Sequence, residues 1–115
     1  MNIEQLRKLC LSLPNTTEDV KWENNLCFLI GEKMFCITGL KGSFSTSFKV
    51  KDEEYNELIE MDGVIPAPYL ARYNWVLVEN LSALTKKDWI HYVSESYEMI
   101  KLKLPKKILA QLGKS

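Results

Sequence analysis

The apolar pattern between Trp22 and Val50 constrains the fold more than any other part of this chain. There the hydrophobic period falls to two, the period of a pleated strand, in three short segments: Leu26–Ile30, Met34–Thr38 and Phe44–Val50. Gly31-Glu32 and Gly39-Leu40-Lys41-Gly42 separate them, so the stretch reads as an antiparallel meander. In the third segment Phe44, Thr46, Phe48 and Val50 alternate with Ser45, Ser47 and Lys49, which predicts one covered face and one wet face.

Helical patterns flank the meander. Ile3, Leu6, Leu9, Cys10 and Leu13 recur at helical spacing over Asn2–Leu13, with Asn2 as N-cap, Gln5 three residues on, and Pro14 as the stop. Asp52 is placed to cap a short helix running to Met61. The rigid step Pro66-Ala67-Pro68 and a helical turn around Tyr69–Tyr73 then deliver Trp75–Glu79 as a further strand. Thr85 and Asp88 open a long helix whose stripe is Trp89, Val93, Tyr97, Ile100 and Leu104. Pro105 ends it and starts a last helix, Lys106–Leu112, closed by Gly113. The implied architecture is α+β: an antiparallel twisted sheet with the N- and C-terminal helices packed on one face, a two-layer sandwich in a single domain over residues 1–115.

Composition narrows the class. A chain of 115 residues with 46% hydrophobic and 26% charged content can bury roughly 65% of its unfolded surface around one core. The longest apolar run, Leu26–Ile30, is far short of the roughly 20 residues needed to cross a bilayer. The N-terminus carries Glu4, Arg7 and Lys8 rather than a hydrophobic leader, so a cytoplasmic location is expected. Three cysteines without a Cys-x-x-Cys spacing argue against a disulfide framework or a structural zinc. A two-residue turn at Gly31-Glu32 would set Cys27 opposite Cys36; the pair reads as two reduced thiols side by side, with a redox role as the alternative.

Five stretches, taken in order, resemble the MmcQ/YjbR family. They are Cys10-Leu11-Ser12-Leu13-Pro14 continuing through Glu18 to Trp22; Lys33-Met34-Phe35; Phe48-Lys49-Val50; Pro66-Ala67-Pro68-Tyr69-Leu70 with Trp75-Val76; and Ser96-Tyr97 followed by Leu104-Pro105-Lys106-Lys107. The resemblance implies a frataxin-like fold, in agreement with the layout above, and a non-enzymatic DNA-binding role with the hairpins as wings.

Charge supplies the candidate sites. The formal net charge is zero, yet six acids and no bases lie in residues 52–62, whereas residues 86–115 hold seven lysines against three acids. Lys101, Lys103, Lys106 and Lys107, with Lys33 and Lys41 on the hairpins, are the expected phosphate contacts. The same lysines also suit the ends of helices as dipole partners and solubilising groups. Only two arginines are present, so base reading is poorly supplied and the DNA backbone would dominate. An alternative site for a small anion or a protein partner combines Lys33, Lys49, Tyr69 and Arg72, unless Arg72 merely holds its loop against Glu18 or Glu23. Trp22, Trp75, Trp89 and Tyr97 read as core anchors.

No catalytic constellation is legible. His91, the single histidine, falls opposite the long helix's apolar stripe as a solvated residue without fixed partners, and Ser94 and Ser96 have no base beside them. No cofactor is expected. The acids of Asp52–Asp62 read as a helix start and a solvated face before a metal site. Leu102 falls on the polar side of the long helix if that helix stays regular to Leu104; either the helix bends toward Pro105, or Leu102 meets the last helix or a partner.

Overall fold

A computed structural model describes residues 1–40 and 44–112. Among them the elements run α1 (Ile3–Ser12), β1 (Thr16–Lys21), β2 (Asn25–Ile30), β3 (Lys33–Gly39), β4 (Thr46–Lys49), α2 (Asp52–Leu58), β5 (Val64–Pro66), β6 (Trp75–Val78), α3 (Lys86–Leu102) and α4 (Lys106–Leu112). Short 3-10 turns occupy Ala71–Tyr73 and Leu81–Ala83. The strands form one open antiparallel sheet in the order β1-β2-β3-β4-β6-β5. No helix among the described residues is long and apolar enough to cross a membrane.

Local chemistry explains the helix starts. The Asn2 side chain accepts the Gln5 amide at 2.8 Å while Gln5 Oε1 accepts the Asn2 amide at 3.0 Å, so two otherwise unpaired donors of α1 are satisfied. Thr85 and Asp88 repeat the device at α3, with the Asp88 amide donating to Thr85 Oγ1 at 3.1 Å. At α2 the cap is Lys51, not Asp52: Lys51 is extended, its amide donates to Glu54 Oε1 at 3.3 Å, and Asp52 stands inside the first turn beside Glu53 and Glu54. That helix ends at Leu58 rather than Met61.

The core lies between the sheet and α1 and α3. Leu6 and Cys10 of α1 and Trp89, Val93 and Tyr97 of α3 are buried against Phe28, Phe35, Phe48 and Val76. Trp89 meets the Phe48 ring edge-on at 5.7 Å between centroids, and Tyr97 meets Phe35 at 5.4 Å. The Tyr97 hydroxyl donates to the Pro14 carbonyl at 2.6 Å, which ties α3 to the end of α1. Trp75, Trp89 and Tyr97 are thus core anchors, but Trp22 is 67% exposed. It sits with φ +51° in the turn from β1 to β2, where backbone direction rather than burial sets its position.

Gly31 and Glu32, with φ of +55° and +68°, make the expected two-residue hairpin turn, and Ile30 faces Lys33 and Leu29 faces Met34. Beyond those two pairs the register slips by one, so that Phe28 faces Cys36 and Cys27 faces Ile37. The bulge sends both Phe35 and Cys36 into the core and overturns the expected Cys27–Cys36 pairing. Cys36 instead neighbours Cys10, whose thiol is pushed well up by burial first and by Cys36 second. All three thiols are free and buried.

Gly31 also sets the approach of the hairpin to the C-terminal corner. A Cβ there would come 2.7 Å from Leu104 Cδ1 and 3.0 Å from Ile108 Cγ2. Gly31→Ala is expected to cost about 1–2 kcal/mol in urea unfolding, chiefly from the left-handed φ since the leucine methyl can yield. An unchanged midpoint would refute this. Leu102 is 78% exposed, so the last helix does not cover it.

Candidate functional site

Where β3 and β6 begin and β4 ends, the sheet meets the last turn of α3 in a cleft of about 500 Å3. Its lining is Lys33 and Met34 from β3, Lys49 from β4, Leu70 and Tyr73 from the proline segment, Trp75 from β6, and Ile100 and Lys103 from the α3 end. Three ammonium groups and no carboxylate therefore face an apolar floor. A larger groove of about 790 Å3 runs along α1, lined only by that helix and mixing Glu4 with Arg7 and Lys8; it brings no second element to bear.

Lys49 is the centre of the cleft. It belongs to the alternate set of β4 predicted to be wet, yet the residue is only 9% exposed. Its ammonium donates to the Tyr73 carbonyl at 2.6 Å, which leaves two of its three protons for another acceptor. Burial first, and the charge of Lys103 second, press its pKa below the ordinary lysine value, with Asp52 opposing. The backbone beneath is fixed: the Lys49 amide donates to Ser96 Oγ at 3.0 Å, and Ser96 Oγ donates to the Phe35 carbonyl at 2.6 Å. Ser96 is a buried link between β3, β4 and α3, not a nucleophile.

The predicted cations divide. Lys103 turns into the cleft, whereas Lys101, two residues earlier, lies over the Tyr97 ring at 5.8 Å and does not line it. Lys106 and Lys107 are exposed at the start of α4. The contact of Gly31 with Leu104 and Ile108 sets α4 beside the hairpin that carries Lys33. None of the ion pairs among the described residues engages Lys33, Lys101, Lys103, Lys106 or Lys107. Lys41 lies outside the described residues.

Two members of the alternative set do not line the cleft. Tyr69, with φ +67°, is 98% exposed. Arg72 stacks over the Tyr73 ring at 4.9 Å and donates to its hydroxyl at 2.7 Å, so it acts on the cleft only through Tyr73. Glu18, the partner once considered for Arg72, is taken by Arg7 at 2.6 Å. The sequence reading missed Lys103 as the partner of Lys33 and Lys49, and missed the floor of Met34, Leu70, Trp75 and Ile100. A lysine between Phe48 and Val50 on a covered strand was the available signal.

His91 also departs from expectation. It is exposed, but its Nε2 lies 3.0 Å from Glu54 and 3.4 Å from Glu95.

The YjbR family model matches residues 11–99. The chain belongs to the YjbR family. No curated protein matches it. Among solved structures, this YjbR-family chain is similar to Deinococcus radiodurans protein DR2400, which has a DUF419 domain, at 23% identity and a TM-score of 0.86 over 97% of this chain and 88% of that one. It is also similar to a protein from Pseudomonas syringae at 21% identity and a TM-score of 0.70, over 86% of this chain and 98% of the other. At these identities the likeness concerns the fold alone.

Proposed function

We propose that this YjbR-family protein is a non-enzymatic binding module for a small organic anion. A phosphate or carboxylate would sit among Lys33, Lys49 and Lys103, with a flat or apolar body against Tyr73 and Trp75. The observation that carries this reading is the depressed, nearly buried Lys49 ammonium beside Lys103 in a cleft lined by no carboxylate. Two neighbouring cations with no carboxylate beside them in the cleft gain most from an anion that replaces lost water.

A second reading is favoured by Lys106 and Lys107, which stand exposed next to the Lys33 hairpin. They would extend the same end of the molecule along a nucleic-acid backbone, with the cleft taking one phosphate. The formal charge of zero and the diversion of Lys101 onto Tyr97 place it behind the small-anion reading.

Trp75 in the cleft offers a fluorescence readout. Titration with phenyl phosphate is expected to perturb its emission, and the double change Lys49→Gln, Lys103→Gln to weaken binding by about tenfold or more, as loss of charge-assisted hydrogen bonds requires. The pair Lys106→Gln, Lys107→Gln should leave that affinity unaltered. Binding of random duplex DNA, with a salt slope that falls by about 0.9 for each lysine removed from α4, would favour the second reading instead. No response to phenyl phosphate, inorganic pyrophosphate or duplex at low salt refutes both.

A further inference from the structure

On the other side of Lys51 from the cleft, a second constellation uses none of the cleft's residues. His91 and Glu95 stand one turn apart on α3, and the first turn of α2 brings Glu54 against them. His91 Nε2 is 3.0 Å from Glu54 Oε2 and 3.4 Å from Glu95 Oε2, and one donor atom from each of the three residues lies within 4.8 Å of the others. Donor atoms bound tetrahedrally to a zinc ion at about 2.0–2.1 Å are about 3.4 Å apart, so the set is already near closure.

We infer that Glu54, His91 and Glu95 form a binding site for a divalent transition-metal ion of the zinc class. Ion pairs with His91 and Lys51 account for Glu54 Oε2 and Glu95 Oε2, but not for the second oxygen of Glu95. Glu95 Oε1 is fully buried and has no hydrogen-bond partner among the described residues, on a side chain only 13% exposed. Such an oxygen carries an unrecovered desolvation cost unless a cation reaches it.

The surroundings suit an ion. The Lys51 amide, donating to Glu54 Oε1 at 3.3 Å, orients one ligand from outside the set. An open cleft of about 530 Å3 borders His91 and Glu95 and leaves room for water to complete the coordination. The competing cation is the Lys51 ammonium, 3.7 Å from Glu95 Oε2; its side chain is 53% exposed and free to swing into solvent. Imidazole with two carboxylates selects zinc, cobalt or nickel over calcium or magnesium, which prefer oxygen alone. The ion would fasten α2 to α3.

With one histidine in the chain, the imidazole proton resonances report the site directly in protein freed of any affinity tag and stripped of metal. Zinc chloride at pH 7 is expected to shift them to saturation at one equivalent and to raise the melting temperature. Glu54→Gln and Glu95→Gln should each weaken zinc binding by about tenfold or more, and His91→Ala should abolish it, all with unchanged far-UV circular dichroism. Resonances of His91 that stay put in excess zinc overturn the proposal, as does unaltered affinity in both glutamine variants. A thiolate charge-transfer band on adding cobalt would move the metal to the cysteines and overturn it equally.

Discussion

Replacing Trp89 with alanine is expected to cost about 3–5 kcal/mol of folding stability, the range for truncating a fully buried large aromatic. Trp89 has no exposed surface, packs edge-on against Phe48, and its Nε1–H donates to the Leu81 carbonyl at 2.9 Å. The truncation opens a void between α3 and β4 and strands a buried carbonyl. Because a domain of this size holds only about 5–15 kcal/mol in total, much of the variant should be unfolded in mild urea at 25 °C. A loss of less than about 1 kcal/mol by urea titration would mean that α3 does not pack as described.

Ser96→Ala should be nearly as costly although it removes a single oxygen. That hydroxyl accepts the Lys49 amide and donates to the Phe35 carbonyl, and the residue is completely buried. Alanine leaves two backbone groups unpaired at about 1–3 kcal/mol each, so a total of about 2–5 kcal/mol is expected, slightly reduced by alanine's better helix propensity. The damage should also reach the cleft, since the same amide fixes the stem of Lys49. Phenyl phosphate affinity should therefore fall in Ser96→Ala even where the protein remains folded. Wild-type stability in this variant would show that water replaces the hydroxyl, and the link would be ornamental.

The helices were legible because capping and apolar spacing act within a few residues. Asn2 with Gln5, Thr85 with Asp88, and Pro105 each announce an end by chemistry that needs no tertiary partner. The strands β1 and β5 escaped notice for the converse reason. Thr-Thr-Glu-Asp-Val-Lys carries almost no apolar alternation, and Val64–Pro66 is too short to show any, so both are held by pairing with a neighbour rather than by pattern. The bulge at Phe35, opposite the step from Phe28 to Leu29, was hidden because a turn predicts register only until an extra residue intervenes, and Phe35 is taken inward by Tyr97, far along the chain.

Sites suffered more than elements. Lys33 and Lys49 were named from sequence, but their convergence with Lys103 depends on where α3 ends above the sheet. The exposed Tyr69 looked like a ligand contact only because it adjoins Leu70 and Tyr73, which line the cleft. His91 was assigned to solvent from the helical wheel alone, and the wheel says nothing about Glu54 arriving from another helix.

The sheet's two borders govern how copies of this molecule can meet. One border is β1, whose Glu18, Asp19 and Lys21 put charge along the free rim, with Glu18 already clamped by Arg7. The other is β5, three residues long and ending in Pro66, which has no amide proton to offer a newcomer. Backbone-templated growth from chain to chain is thereby obstructed at both rims, and concentrated solutions should resist fibrous aggregation without help from a high net charge.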